Sequence, residues 1–438
     1  MQMGRKNYQY HRSRLDVHQL ILDNLKLFKQ IPDPRNRVIN QSLADVCQSG
    51  FAMFHLKFPS LLDFDSATVH QKANLKSVYG IKSVCSDSQM RRILDDVAPT
   101  HIMTRIAQLL NYEFQKVGGA RQFQVFDQRL ILSLDGVEHF RSNKVRCENC
   151  LEKTSSSKGT SYYHQMLCGS IVHPDESQVF LAAAEPIIKQ DGATKNDCER
   201  NAAKRVITGL KTTYPDFKFL VVADGLYSCG PVIDLLKQEE HDFIIAVKPG
   251  DHDNLFTHFG TWSQRSVTTK MKAEKKGVTH RFEWANGIAL NQSWADMKLN
   301  MLVYEQVDRK GKITRFSWVT NRKITKRNVE MIMRIGRSRW KIENETFNTL
   351  KNQGYHFEHN YGHGKKHLCS TLAFLMLLAF LIDQLIELCS QPFQLILKAA
   401  RTRKKVWFQQ RAIFTSVESD NFNSIYGRLA ELFGVQLI

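Results

Sequence analysis

Two Asp-Gly pairs close hydrophobic runs in this chain, Asp135 in ILSLDGVEHF and Asp224 in LVVADGLYS. Such a pair is by itself a turn signal. Two of them at the ends of neighbouring core strands put both carboxylates at one sheet edge, where they can ligate the same hard divalent cation. A third carboxylate from a later helix would complete a site for two magnesium ions, for which manganese can substitute, roughly 3.5–4 Å apart. That arrangement activates an oxygen nucleophile and stabilises the leaving oxygen of a phosphodiester. The segment RWKIENETF (339–347) offers Glu343 and Glu345. On a regular helix these lie about 200° apart, so one at most faces the sheet. Glu343 shares a face with Arg339, four residues earlier, and Lys351 stands about 80° away; two such cations suit the phosphates beside a reacting bond. Glu345 follows Lys341 by four and reads as half of an exposed ion pair. Glu343 is therefore the expected third ligand, on a helix held to the core by an apolar stripe of Trp340 and Phe347.

A second donor set has softer chemistry. Cys147, Cys150, His164 and Cys168 form C-x2-C-x13-H-x3-C, a spacing compatible with structural zinc. If YYHQMLCG is a strand, His164 and Cys168 stand about 13 Å apart, too far to share one ion. Cys147, Cys150 and His164 with one further donor remain a candidate site, against plain reduced thiols on a hairpin. The histidines of GYHFEHNYGHGKKH (His356, His359, His363, His367) are interrupted by Gly362 and Gly364 and read as a basic, phosphate-facing loop. Trp284, Trp294 and Trp318 read as sheet-packing residues, with base stacking as the rival role.

The elements that must position these groups follow from composition and periodicity. The chain has 438 residues, 42% of them hydrophobic, enough for two to four domains with substantial cores. A formal charge of +18, dispersed along the chain, points to nucleic acid as partner. The most apolar run, LCSTLAFLMLLAFLI (368–382), is short for a bilayer span and reads as a buried helix, so no membrane is expected. The first sixteen residues carry basic groups without the apolar stretch of a secretion signal. Nine scattered cysteines fit a reducing cytoplasm.

Residues 1–115 read as a helical domain, with Ser86 or Ser88 capping one helix. From 129 the pattern becomes three strands (129–135, 162–173, 178–185), a helix (198–214), a strand (217–224), a helix (231–240) and a strand (243–248), a mixed α/β order with an antiparallel start. Residues 250–320 read as a β-rich insertion with a hairpin turning at DRKGK. A long helix from about 325 to 354 carries Glu343, an apolar helix packs behind it, and 391–438 form a basic C-terminal segment.

LSLDGVEHF, VVADGLYS with DFIIAVKPG downstream, and WVTNRKITKRNVEMIMRIGRSRWKIENETFNTLK together resemble the DDE transposases of bacterial insertion sequences, of the insertion-sequence-four type, over roughly residues 129–385. The resemblance implies an α/β fold: an RNase H-like mixed sheet with flanking helices, its core (116–249 and 321–390) interrupted by the insertion. It implies a magnesium-binding triad of Asp135, Asp224 and a glutamate of RWKIENE. It also implies double-stranded DNA, the element's inverted repeats and its target, as substrate, a homodimer in the synaptic complex, and a place on the nucleoid in a bacterial cytoplasm. The family signature runs Tyr, two residues, Arg, three residues, Glu, six residues, Lys. Arg339 and Glu343 keep the spacing, Gly336 replaces the tyrosine, and Lys351 falls one residue late. Two rival readings share the sequence: an inactive DNA-binding derivative of the fold, and an RNase H-like structure-specific nuclease.

Overall fold

A computed structural model describes residues 15–35, 41–68, 70–116, 119–157, 159–189, 196–262, 265–271 and 278–437. The basic N-terminal stretch 1–14 lies outside the described residues. The first helices are α1 (Val17–Phe28), α2 (Leu43–His55), α3 (Leu61–Thr68), α4 (Lys72–Tyr79), α5 (Asp87–Leu94) and α6 (Pro99–Lys116), followed by the short α7 (Gly119–Phe123). Side-chain oxygens of Asp16, Ser42 and Ser86 satisfy backbone N–H groups at the starts of α1, α2 and α5. Of the two expected serine caps, Ser86 is therefore the one used.

The central sheet starts with β1 (Gln124–Val125), β2 (Arg129–Ser142), β3 (Leu151–Ser155), β4 (Gly159–Val172) and β5 (Phe180–Ile187). Helix α8 (Glu199–Thr213), β6 (Lys218–Ala223), α9 (Gly230–Gln238), β7 (Asp242–Ala246) and α10 (Asp253–Thr261) follow. The insertion supplies β8 (Ser266–Met271), β9 (Thr279–Ala289), β10 (Lys298–Val307) and β11 (Ile313–Thr320). The main path of the sheet runs β3-β4-β2-β6-β7-β11-β10-β9-β8, with β5 paired to β4 and β1 to β2. Strands β2, β6 and β7 are parallel to one another, and β2 is antiparallel to β4. The insertion strands extend this sheet, because β11 pairs with β7 in the register Trp318↔Ala246. The β10–β11 hairpin turns at Asp308–Lys312, where Asp308 accepts from the Lys310 and Lys312 N–H groups and Gly311 takes φ 78°.

After the sheet come α11 (Val329–Ser338), a π-helical turn (Ile342–Phe347), α12 (Asn348–Asn352), α13 (Leu368–Cys389), α14 (Gln391–Ala400), α15 (Arg403–Ser416) and α16 (Phe422–Leu432). Helix α13 has 22 residues and by length and apolarity alone could cross a membrane. It is instead a core element. Its apolar window is 100% buried among α2, α6 and β5. Its one buried aspartate, Asp383, accepts from Lys57 Nζ at 2.6 Å and from the Tyr355 hydroxyl, so the charge is paired rather than stranded. The segment after α13 forms α14, α15 and α16 and closes onto the first helices: Asn74 donates to the carbonyls of Phe414 (2.7 Å) and Val417 (2.8 Å).

Candidate active site

The carboxylates are brought together by strand register. Strands β2 and β6 run parallel with Ser133 opposite Val222. Two residues further along each, Asp135 is still within β2 and Asp224 has left β6 to cap a short helical turn through the Leu226 N–H. Glu343 comes from the π-helical turn, which is fixed to β2 and β4. Ser133 donates its hydroxyl to the Arg339 carbonyl at 3.1 Å, Ser170 and Thr346 share a hydrogen bond at 3.1 Å, and Ile342, Phe347 and Leu350 are buried beneath.

The cavity between strand and helix has a volume of about 580 Å³ and is lined by Asp135, Glu138 and Arg141 on one side and Glu343, Phe347 and Lys351 on the other. Arg339 reaches two of the acids from beside the cavity, 2.8 Å from Glu343 and 3.9 Å from Asp135. Lys351 is ion-paired with Glu358 at 2.7 Å. Burial pushes the Asp135 carboxyl up to about 7, and the charges of Glu343, Asp224 and Glu199 push the same way against Arg339. A carboxyl so perturbed marks a cluster of oxygen donors with too little positive charge.

The fourth of those carboxylates, Glu199, escaped the sequence reading. It opens α8, accepts from Gln165 at 2.5 Å and from the Tyr227 hydroxyl at 3.2 Å, and its pKa is raised by burial and by Asp224. Its carboxylate lies directly over Gly136, where any Cβ would overlap it. The Asp-Gly pair at 135 is thus not the strand end expected from the sequence, since β2 runs on to Ser142; the glycine instead makes room for a second acid beside the first. A carboxylate in the first turn of the helix after β5 was the only sequence signal.

Two departures from the expected signature have physical causes. A π-helical turn accommodates one extra residue in a helix. Counting it out, Lys351 stands about 20° rather than about 80° from Glu343, and both line one cavity. The same rotation separates Trp340 from Phe347 by about 120°, so the apolar stripe expected from these two is not formed. Phe347 is 7% exposed and Trp340 48%, its ring carrying the Arg339 guanidinium at 4.8 Å. At position 336, a Cβ would come 2.7 Å from the Trp318 ring. Indole from the insertion strand fills the space where the signature has tyrosine. Trp284 and Trp318 are buried and Trp294 lies over Gly230, so all three pack.

Glu345 does not line the cavity; its charge bears on Lys341 and Arg403. The Lys341–Glu345 pair is replaced, Lys341 donating to the Glu176 carbonyl.

The sequence profile of a family described as a transposase DDE domain matches residues 143–381, more than half of the chain. The chain belongs to the DDE transposase family. Membership implies action on DNA and use of a divalent metal. The matched stretch contains Asp224 and Glu343 and starts just after Asp135. A comparison with curated proteins returns no match.

The soft donors also meet. Cys147, Cys150 and His164 are joined by His363, all four ligand atoms lying within 4.8 Å of one another, and Cys168 is not among them. The expected phosphate-facing role of the histidine loop fails at this residue. His363 points inward to the thiols, and the N–H groups of Lys365, Lys366, His367 and Leu368 are taken by the Asp95 carboxylate. An anion site there is already filled by the protein's own acid.

Proposed function

We propose that the chain is a transposase of the insertion-sequence-four type that cuts the ends of its element and joins the freed 3′-hydroxyls to target DNA. The observation that carries this reading is the convergence of Asp135, Asp224 and Glu343, from two parallel strands and one helix, with an arginine set against two of them. The donor chemistry fits hard divalent cations: every group is an oxygen, and burial, together with the neighbouring acids, lets Asp135 hold its proton up to about 7. Asp135, Asp224 and Glu343 would hold two magnesium ions, with manganese an acceptable substitute. When bound, the pair supplies activation of water or a 3′-hydroxyl and stabilisation of the leaving oxygen.

The remaining roles belong to the chain. Arg339 holds the Glu343 carboxylate through its 2.8 Å ion pair, and its guanidinium would meet a phosphate oxygen. Lys351, partly exposed and ion-paired with Glu358 at the rim, meets the next phosphate. End recognition we assign to the helical region 1–115, target and backbone binding to the +18 surface, and synapsis of two ends to a homodimer on bacterial DNA. Residues 116–249 and 321–390 serve as the catalytic core and 250–320 as its insertion. Because α2 and α6 pack on α13, recognition is tested by charge reversal of exposed groups such as Lys72 and Arg92 rather than by truncation.

The deciding experiment incubates the full chain and magnesium with DNA carrying an element end and an unrelated target. Joined products are expected, and Asp224→Asn should yield neither cutting nor joining while still retarding DNA. Cut ends without joined products would move the reading to a nuclease, and DNA binding without cutting by the wild type to an inactive derivative.

A further inference from the structure

The thiol–imidazole cluster lies outside the carboxylate site, and its donor spacings carry an assignment of their own. Cys147 Sγ and Cys150 Sγ are 3.8 Å apart. Each lies 3.4 Å from His164 Nε2, Cys150 Sγ lies 3.3 Å from His363 Nε2, and the two Nε2 atoms are 3.2 Å apart. A zinc ion bound by sulfur at about 2.3 Å and nitrogen at about 2.0–2.1 Å in a tetrahedron requires edges of about 3.8 Å for S–S, about 3.5 Å for S–N and about 3.3 Å for N–N. All five spacings fall on those edges within about 0.2 Å. Hydrogen bonding among four free groups has no reason to reproduce a tetrahedron. It also leaves the two Nε2 atoms facing each other, while the other nitrogen of His363 is directed at the Gly364 carbonyl at 3.0 Å. That outer contact makes Nδ1 the N–H and leaves Nε2 as the lone-pair donor, the orientation a ligating histidine takes.

We infer that Cys147, Cys150, His164 and His363 form a closed zinc site that pins the loop after the catalytic helix to the β3–β4 arm. The site is structural: three of its four residues are buried, all four positions are protein ligands, and none is left for a substrate. Its reach explains its place. Two thiols enter on the turn before β3, one imidazole comes from β4, and the last comes 199 residues later from the loop that follows Glu343 and Lys351. Cys150 and Cys147 themselves are tied by the Cys150 N–H to the Cys147 carbonyl at 3.2 Å, the tight turn that a C-x2-C pair needs to offer both sulfurs to one ion. The ion would thereby fix the distance between the strand wall and the helix wall of the cavity.

The test is elemental analysis of the full-length protein, purified without added metal and dialysed against EDTA. One zinc per chain is expected, and growth or refolding with Co2+ should give the absorption of a tetrahedral thiolate–cobalt centre. Cys150→Ser should lower the zinc content to near zero, while His363→Cys should keep the metal and strengthen the thiolate–cobalt band. A folded wild-type protein that carries no zinc and develops no cobalt–thiolate band overturns the assignment, as does undiminished zinc in a folded Cys150→Ser variant. A band in His363→Cys no stronger than that of the wild type would remove His363 from the ligand set.

Discussion

Two donor clusters share one strand pair and differ in everything else. Asp135 is opposite Cys168 and Phe140 opposite His164 in the β2–β4 register, so the carboxylates and the thiol–imidazole group sit a few residues apart on the same ribbon. The first is hard, open to a cavity and electrostatically strained: burial first, and then several acids against one arginine, push Asp135 up to about 7. The second is soft, closed and already at ligand spacing. A cluster that repels itself is completed by what arrives, whereas a cluster that fits one ion is completed once, during folding. The contrast separates the part of the protein that works from the part that holds the walls in place.

The largest expected effect falls on the open cluster. Asp135→Asn should reduce nicking of an element end by about 10³-fold or more, the scale on which a preorganised charged group acts, while DNA binding persists. The same substitution should stabilise the metal-free protein. A carboxyl whose folded pKa exceeds its unfolded value destabilises the fold once deprotonated. The gain over wild type should be absent below about pH 4, grow as pH rises, and be complete above about pH 7. Its ceiling is about 4 kcal/mol, set by a carboxyl raised from its ordinary 3.8 to about 7 at about 1.4 kcal/mol per unit, read by thermal denaturation at pH 4 and pH 8. An Asp135→Asn protein that melts lower than wild type at pH 8 would show that the cluster is not electrostatically strained.

The next effect sharpens the difference in openness. Because a cation must displace the Asp135 proton, with Glu343, Asp224, Glu199 and Arg339 facing it, Mn2+ binding should tighten as pH rises from 6 to about 7 and level off above. Titration followed by electron paramagnetic resonance measures it. Affinity independent of pH over that range would mean that the ion does not bind at Asp135.

Much of this arrangement was legible before the fold was known. The aspartates announced themselves because an apolar run that reaches Asp-Gly is a local pattern; β6 does end there, whereas β2 runs on to Ser142, and the parallel pairing of the two strands aligns the acids. Glu343 was legible from helical phase with Arg339. What local patterns could not reveal was anything closed by tertiary contact. His363 has no periodic relation to His164, and Glu199 reaches Asp135 only because Gly136 leaves room. The π-helical turn left one trace, a lysine displaced by a single residue, and ideal-helix geometry then misplaced Trp340. The apolar run at 368–382 was rightly a core helix, but for burial rather than for length.

Glu199 tests whether the fourth acid belongs to the working cluster. It faces Asp135 and Asp224 through charge and is anchored by Gln165 and Tyr227. Glu199→Gln keeps its size over Gly136 and removes the charge. Nicking should fall by roughly 10–100-fold, mostly recovered at higher metal concentration, because a neighbouring carboxylate tunes affinity rather than supplying the reaction. Wild-type metal dependence in this variant would make Glu199 a packing residue only.

The smallest effect decides between the two glutamates of RWKIENETF. Glu345 is two residues from Glu343, yet the cavity is lined by Glu343 and not by Glu345, whose charge bears on Lys341 and Arg403 on the other side of the helix. The π-helical turn does not bring the two onto one face, since a residue in such a turn still advances by about 80° and two residues by about 160°. Removing a partly exposed charge of this kind costs at most about 1 kcal/mol in stability. Glu345→Gln should therefore nick an element end within about twofold of wild type, where Glu343→Gln is inactive. An inactive Glu345→Gln beside an active Glu343→Gln would place the third carboxylate on the opposite face, and with it would fall the working role of Glu343, Lys351 and the Arg339 paired to Glu343.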